Sequence, residues 1–285
     1  MSFAATIGTF DGVHLGHISL LNQLKELASA RSLDTMVITF SNHPREVTRN
    51  ETTNYLSTID EKVQLLKQHG VDCVEMLHFD AQLQRLTAEE FIVSYLLKFD
   101  VKLLLLGYNN GFGSDKLTFD QYKQVAARHN IELVLAEKFG DNCSSSQIRQ
   151  LLAASDICGA NKLLGRPYSL QGKVIKGDAI GRTIGFPTAN LAIDAHKILP
   201  ANGVYRCSCA VDGRNFNSLC NIGRRPTING NDIRIEVHII DFAGDIYGHN
   251  LSIDFQSFIR AEKKFNSLAE LSEQISKDVM FFREK

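Results

Sequence analysis

The sequence has no excess of charge of either sign and no long hydrophobic run. Lys and Arg number 31 against 32 Asp and Glu, which leaves a formal net charge of −1. A nucleic-acid-binding chain usually carries a basic patch or stripe, so no nucleic-acid partner is expected. The densest apolar run is VKLLLLG, far shorter than the ~18 residues of a membrane helix. No basic-then-apolar segment opens the chain, so neither a membrane partner nor a secretory signal is expected.

The six cysteines include no CxxC pair, the spacing typical of a zinc knuckle. Cys207 and Cys209 stand one residue closer together than knuckle cysteines. On a strand, residues two apart share a face, where small buried thiols are common. The cysteines therefore favour reduced thiols in a cytoplasmic protein over zinc or a disulfide.

Two structural patterns divide the chain. Its 44% hydrophobic and 22% charged residues are typical of a globular protein with one large or two ordinary domains. Up to about residue 155, strand-like segments such as TMVITF alternate with helical ones, which predicts a parallel sheet with helices on both faces. Among these, Thr87 opens a capping box that predicts the helix EEFIVSYLLKF. Farther on, Gly-rich turns separate short alternating strands, which predicts an antiparallel barrel and then the helix SLAELSEQISKDVMFFRE. The predicted domains are residues 1–158 and 159–285.

The segment TIGTFDGVHLGH, residues 6–17, joins the first predicted strand to the first predicted helix. Free N–H groups and the dipole at a helix start favour an anion there, and Gly16 would let a phosphate approach the backbone. His14 and His17 can donate hydrogen bonds to phosphate oxygens. The alternatives are a turn that happens to hold histidines and a metal site, although no third metal ligand is evident. The HxGH spacing at such a junction favours phosphate handling.

The segment CSSSQIRQLL, residues 143–152, is a second candidate for phosphate contact. One serine can cap the helix while the others face a ligand. Arg149, about one turn into the helix, can reach phosphate oxygens with its guanidinium group. The alternative is an ordinary serine-capped helix with a solvated arginine.

The segment GKVIKGDAIGRTIGFPTANL, residues 172–191, predicts a nucleotide loop followed by a strand. Gly177, Gly181 and Arg182 would form a loop able to fold over a triphosphate. Thr188 and Asn190 point the same way in an extended segment. Their hydroxyl and amide oxygens are hard neutral donors that suit Mg²⁺ held mainly by substrate phosphates. The alternative is a turn and strand with polar residues on the solvated face.

The segment IRIEVHIIDF, residues 233–242, alternates apolar and polar side chains. Its predicted apolar face consists of Ile233, Ile235, Val237 and Ile239. Glu236 takes the opposite face, where a carboxylate on a rigid strand is a reasonable general base for a hydroxyl that attacks phosphate. A cross-strand salt bridge on the barrel exterior is the plainer alternative.

The first half resembles the HxGH-type nucleotidylyltransferases, and within them the FMN adenylyltransferase module of bacterial FAD synthetases. The resemblance rests on GTFDGVHLGH, TFSNHPRE, LGYNNGFG and SSSQIRQLL. It implies a Rossmann-like domain in which His14 and His17 stabilise the α-phosphate and leaving pyrophosphate of ATP while an FMN phosphate oxygen attacks. Asn109 would face the nucleotide or the flavin. The other ATP contacts that the resemblance implies are Gly8, Phe10, Asp11, Gly16, Ser145, Ser146 and, in a catalytic role, Arg149.

The second half resembles the riboflavin kinase domain over nearly all of residues 163–279, with PTAN and the downstream IEVHIIDF as its specific motifs. This implies a six-stranded barrel in which Thr188 and Asn190 hold Mg²⁺-ATP and Glu236 is the base on the terminal ribityl hydroxyl of riboflavin. The loop with Gly177, Gly181 and Arg182 would cover the nucleotide. Arg260 would lie near the flavin.

The order of the two modules is that of the bifunctional bacterial FAD synthetases, which implies riboflavin to FMN and then FMN to FAD, each with ATP. The first module departs from its relatives at Ile18, where they have Gln, and at Asn110, where they have an aromatic residue. A riboflavin kinase with an altered first domain is therefore the main alternative. A flavin-binding regulator and an adenylyltransferase for another acceptor are the others. The oligomeric state stays open.

Overall fold

The computed structural model describes residues 1–49, 52–108, 111–140, 143–227 and 230–283. Asn109, predicted to face the nucleotide or the flavin, and Asn110 lie outside them. The chain forms two compact units, Met1–Ser145 and Ser146–Lys285. The domain boundary after residue 158 stays a prediction. In the described ranges, no helix is long and apolar enough to cross a membrane.

The first unit is a five-stranded parallel sheet with the strand order β3-β2-β1-β4-β5. Its elements are β1 (Phe3–Ile7), α1 (Leu15–Ser29), β2 (Asp34–Phe40), α2 (Pro44–Arg49), α3 (Ile59–Gln68), β3 (Cys73–Leu77), α4 (Ala81–Arg85), α5 (Ala88–Phe91), a π-helical turn (Ile92–Leu96), β4 (Val101–Leu106), α6 (Phe119–Arg128) and β5 (Glu132–Leu135). The chain order reverses between β1 and β4, and open α/β sheets bind ligands at the carboxyl ends of the strands at such a point. The predicted alternation and parallel sheet are confirmed, and the HxGH segment follows the central strand β1.

Both faces of this sheet are buried, as near-continuous apolar strands require. On β1, Ala5 packs into one apolar cluster and Ala4 into the other, and both are fully buried. Ile18 packs against the second cluster, so this departure from the relatives lies against the core.

The helix predicted after Thr87 begins as expected, with a complete capping box to Glu90. It is α-helical only to Phe91 and then continues as the π-helical turn. Ile92 and Leu96, four residues apart in this turn, are both fully buried. The sequence pattern shows the apolar stripe but not this change of pitch.

The second unit is a closed six-stranded barrel in the order β10-β7-β6-β11-β8-β9, with every pair antiparallel, as predicted. Its elements are α7 (Ser145–Ala153, whose first residue ends the first unit), α8 (Ile157–Leu164), β6 (Tyr168–Ile175), α9 (Ile180–Thr183), β7 (Ala189–Ile193), β8 (Gly203–Val211), β9 (Arg214–Thr227), β10 (Gly230–Ile239), β11 (Asn250–Arg260) and α10 (Leu268–Arg283). The predicted C-terminal helix is α10.

Residues two apart along β8 face the barrel interior together, so Cys207 and Cys209 are both buried there. On β10, Ile235, Val237 and Ile239 are buried as predicted, whereas Ile233 is 51% exposed near the beginning of the strand. The alternation therefore predicts the buried face of β10 correctly except near the beginning of the strand, which extends beyond the core.

Candidate active sites

The HxGH segment of the first unit contains a strained turn. Phe10 and Val13 have φ of 48° and 37°, in the left-handed region that a β-branched residue such as Val13 rarely adopts. Such residues cost about 1–3 kcal/mol each and persist only where their surroundings impose the conformation. Here Asp11 Oδ1 accepts hydrogen bonds from the backbone N–H groups of Leu56 (2.9 Å) and Ser57 (3.2 Å). The Asp11 carboxylate, predicted to contact ATP, thus stabilises the turn by attaching it to the backbone of Leu56 and Ser57.

His14 and His17 lie on the first turn of α1, with His14 as its N-cap residue. Their rings stack with centroids 3.7 Å apart and planes 17° apart, and the Phe10 ring lies 4.9 Å from that of His17. Two protonated imidazoles at this separation would repel each other, and an anion would relieve that repulsion. The structure thus brings both histidines together at the N-terminus of a fifteen-residue helix, where N–H groups and the dipole also favour an anion.

Gly16 has a role that sequence reasoning missed. A Cβ at this position would lie 3.1 Å from Cε1 and 3.2 Å from Nδ1 of His14. The glycine therefore leaves room for the His14 ring, which gives the HxGH spacing a steric reason, and its predicted approach to a phosphate stays a prediction.

Cys143 and Ser145 contact the HxGH segment. Ser145 Oγ donates a hydrogen bond of 2.9 Å to the carbonyl oxygen of Asp11. Cys143 Sγ lies 3.5 Å from Nδ1 of His14, and burial raises the pKa of this thiol. The Cys143 contact has no counterpart in the sequence analysis, because a single cysteine before a serine run carries no pattern.

Three further residues were predicted to contact ATP: Gly8, Ser146 and Arg149. The Gly8 N–H donates to the carbonyl oxygen of Ile38 and so extends the pairing of β1 with β2. Ser146 and Arg149 lie on α7 in the second unit. Their contact with ATP stays a prediction.

The second unit contains a cavity of about 260 Å³ that Glu236, Thr188 and Arg260 line together. Its apolar wall consists of Val204, Leu219, Phe265, Leu271 and Ile275. In the antiparallel register, Asn190 of β7 and Asn221 of β9 stand directly opposite Glu236 on its two sides. Side chains opposite each other in a sheet point to the same face, so a carboxylate stands between two neutral amides. No sequence pattern marks Asn221, because its position opposite Glu236 depends on the register in which β9 and β10 pair.

A second cavity of about 250 Å³ shares Thr188 with the first. It is lined by a cation, Arg182, and by the aromatic rings of Phe242 and Tyr247. A flat heteroaromatic group with phosphates would match such a lining. Thr188 therefore lines both cavities.

The loop between β6 and β7 packs closely against this region. A Cβ on Gly177 would lie 2.1 Å from the Asn190 side-chain nitrogen, and one on Gly181 would lie 2.2 Å from the Phe186 carbonyl oxygen. Asp178 anchors the loop through a 2.6 Å ion pair with Arg234 of β10. Both predicted glycines thus allow the loop backbone to approach the candidate Mg²⁺ and ATP residues.

Arg260 lines the first cavity, but its guanidinium group is engaged by α10. Its Nε lies 3.0 Å and its Nη2 2.8 Å from Oδ2 of Asp278, a carboxylate that is only 4% exposed. Arg260 thus holds α10, whose Leu271 and Ile275 form part of the cavity wall. Its predicted contact with the flavin stays a prediction.

Replacing Asp278 by Asn is expected to lower the free energy of unfolding by about 2 kcal/mol, because it leaves the partly exposed Arg260 guanidinium without its carboxylate. The Michaelis constant for the ligand of this cavity should rise with it, since α10 would lose its attachment. Urea unfolding measures the first effect. The matched control is Glu273→Gln on the same helix, whose exposed pair with Lys277 is screened by solvent and contributes little to stability. Equal effects of the two substitutions would contradict the assignment.

No group of three or more His, Cys, Asp or Glu side chains in the described part of the chain could hold a metal ion.

Comparisons with known proteins agree for both units. A family model described as FAD synthetase matches residues 2–148, and one described as riboflavin kinase matches residues 164–285. The bifunctional riboflavin kinase/FMN adenylyltransferase of Listeria monocytogenes is 35% identical, covering 95% of this chain and 88% of that protein. Its namesake from Escherichia coli K12 is 37% identical, covering 98% and 91%. A crystal structure described as a macrolide-efflux protein from Streptococcus pneumoniae is similar with a TM-score of 0.91 at 32% identity, covering 100% of this chain and 95% of that one. With two family models and full-length relatives in agreement, the chain belongs to the family of bifunctional riboflavin kinase/FMN adenylyltransferases.

Proposed function

We propose that the chain phosphorylates riboflavin to FMN in its second unit and adenylylates FMN to FAD in its first, with one ATP consumed in each step. The observation that carries the proposal is that each unit has its own group suited to phosphate chemistry. In the first unit it is the stacked His14 and His17 at the start of α1. In the second it is Glu236, on the wall of a cavity that shares Thr188 with a neighbouring one.

In the kinase step, we assign riboflavin to the cavity that Glu236 lines and ATP to the neighbouring one lined by Arg182, Phe242 and Tyr247. Glu236 accepts the proton of the terminal ribityl hydroxyl while that oxygen bonds to the γ-phosphorus. The bond from this phosphorus to the β–γ bridging oxygen breaks, and ADP leaves. The position of Thr188 on both cavities supports this arrangement.

Mg²⁺ fits the residues present, and Thr188 and Asn190 would hold it. They supply a hydroxyl and an amide oxygen, and the Gly177 backbone approaches Asn190 so closely that a side chain there would fill the space. Such a site suits an ion that keeps few protein ligands and takes the rest from phosphates. When bound, Mg²⁺ would neutralise charge on the transferring phosphates.

In the adenylyl-transfer step, a phosphate oxygen of FMN bonds to the α-phosphorus of ATP and pyrophosphate leaves. FMN phosphate is already anionic, so no protein base is needed. His14 and His17 donate hydrogen bonds to the oxygens on which charge develops, and the helix start contributes its N–H groups. By the resemblance, Ser145, Ser146 and Arg149 would contact the β- and γ-phosphates. The use of ATP and the free cysteines support a cytoplasmic location.

A time course tests the proposal. Purified protein with riboflavin, ATP and Mg²⁺ should produce FMN first and FAD after it, resolved by chromatography, with ADP and pyrophosphate released in turn. Accumulation of FMN with no FAD, from riboflavin and from added FMN alike, would instead support a kinase with an altered first unit. Omission of Mg²⁺ should stop both conversions.

A further inference from the structure

Lys62 occupies a position on α3 that faces the core. It is 7% exposed, one helical turn before the fully buried Leu66. A lysine on such a face must bring its charge into the interior or lose its proton, and both cost free energy unless the ammonium group has partners. An apolar residue of the same length would avoid that cost. The presence of a lysine at this position therefore has a reason other than core packing.

The partners of Lys62 are the carboxyl ends of two central strands. Its Nζ lies 2.7 Å from the Phe40 carbonyl oxygen at the end of β2 and 3.3 Å from the Thr9 carbonyl oxygen just after β1. It also lies 3.3 Å from Oγ1 of Thr39, which itself donates to the Thr9 carbonyl. One ammonium group therefore joins the ends of β1 and β2.

Thr9 immediately precedes the strained turn that leads to the histidines. Beyond it, Phe10 and Val13 have positive φ, and His14 follows directly. The same turn is also held by Asp11, its second residue, whose carboxylate accepts hydrogen bonds from the N–H groups of Leu56 and Ser57. Lys62 and Asp11 thus both hold this strained segment near its start. Such a segment stays in place only while its surroundings impose it.

Among the side chains that the structure describes, Asp11 is the one whose charge acts on Lys62. From β1 and β2 it is faced by neutral groups: two carbonyls and the Thr39 hydroxyl. Burial lowers the pKa of Lys62 to about 8, and the Asp11 carboxylate opposes that shift. Lys62 is therefore charged at neutral pH and loses its charge in a mildly alkaline range.

We propose that Lys62 is a positioning residue for adenylyl transfer. By joining the ends of β1 and β2, its ammonium group holds the turn at residues 10–13 in the conformation that aligns the His14 and His17 rings. This inference rests on the proposed function of the first unit. It adds a residue that contacts neither ATP nor FMN.

The test replaces Lys62 by Met, which keeps the length of the side chain and removes the charge, with Lys67→Met as the matched control. Lys67 lies on the same helix and is exposed. With FMN and ATP as substrates, Lys62→Met should lower kcat at least tenfold and change both Michaelis constants less than twofold, since misaligned donors act on the transition state. Riboflavin phosphorylation in the second unit should stay at the wild-type rate. The control should match the wild type in all of these.

Two further readouts separate positioning from a purely structural role. The wild-type adenylylation rate should fall as the pH rises through about 8, and Lys62→Met should lack this fall. In protein labelled with ¹⁵N-histidine, the His14 and His17 ring signals should shift in Lys62→Met and not in Lys67→Met. If Lys62→Met does not fold, Lys62→Gln replaces it, because the glutamine amide can still donate to a carbonyl.

A wild-type kcat for Lys62→Met, a rise in Michaelis constant at unchanged kcat, or unshifted histidine signals would overturn the inference. So would a loss of activity that only parallels a loss of folded protein by thermal unfolding. The histidine signals need no turnover, so they test the positioning role even if the wild type makes no FAD. That last result would instead refute the proposed function.

Discussion

Replacing Glu236 by Gln is expected to lower riboflavin phosphorylation by about 10²–10⁴-fold, the usual contribution of a general base. Glutamine keeps the shape of the side chain and an acceptor oxygen, but its amide cannot take the proton of the ribityl hydroxyl. Its neighbours Asn190 and Asn221 are neutral amides and cannot replace the base. The loss should appear in kcat, because the substitution leaves the walls of both cavities intact.

The measurement is ADP release from riboflavin and ATP under saturating conditions. FMN adenylylation by the same variant is the internal control and should be unchanged, because it occurs in the other unit. Glu273→Gln, an exposed carboxylate on α10, should behave as the wild type. Glu236→Asp keeps a base but withdraws it by one methylene, so we expect an intermediate rate. If Glu236→Gln kept more than a tenth of the wild-type kcat, the base would have to be another group.

Replacing His17 by Ala is expected to lower FMN adenylylation by about 10²–10³-fold, the effect of removing one preorganised donor to a developing charge. The substitution also removes the ring on which His14 stacks. Since the two rings act together on one phosphate, His14→Ala with His17→Ala should be little slower than either alone, because residues that act as a unit are not additive.

The corresponding assay follows FAD formation from FMN and ATP, and its reverse from FAD and pyrophosphate. With riboflavin as the starting substrate, the His17 variant should accumulate FMN, because the second unit is unaffected. His78→Ala is the matched control: this histidine is exposed in the same unit and contacts Ser41. A His17 variant within threefold of the wild type would refute a role in transition-state stabilisation.

The histidine pair and Glu236 were both predicted from the sequence, although for different reasons. His14 and His17 stand out because their spacing recurs at a strand-to-helix junction that periodicity alone predicts. Glu236 stands out because a period of two places it opposite an apolar face. These are local signals. They also predict the parallel sheet, the barrel and the capping box at Thr87, all of which the structure confirms.

The residues around these groups were not predictable in the same way. Asp11 was predicted to contact ATP, and in the structure its carboxylate accepts hydrogen bonds from backbone N–H groups 45 residues away. Gly16 was predicted to leave room for a phosphate, and in the structure it leaves room for the His14 ring. Arg260 was predicted to contact the flavin, and in the structure it pairs with a carboxylate of α10. The predicted ligand contacts stay predictions, and these structural partners were not visible in the sequence.

By itself, then, the sequence determined the two architectures and singled out the groups proposed to carry the chemistry, because hydrophobic period, capping and motif spacing act over a few residues. Only the tertiary structure decided what supports those groups. Lys62 meets Thr9 across 53 residues, and Glu236 stands between Asn190 and Asn221 only in one strand register. Such contacts follow from how strands pair and helices pack, which depends on the whole folded chain rather than on any local pattern.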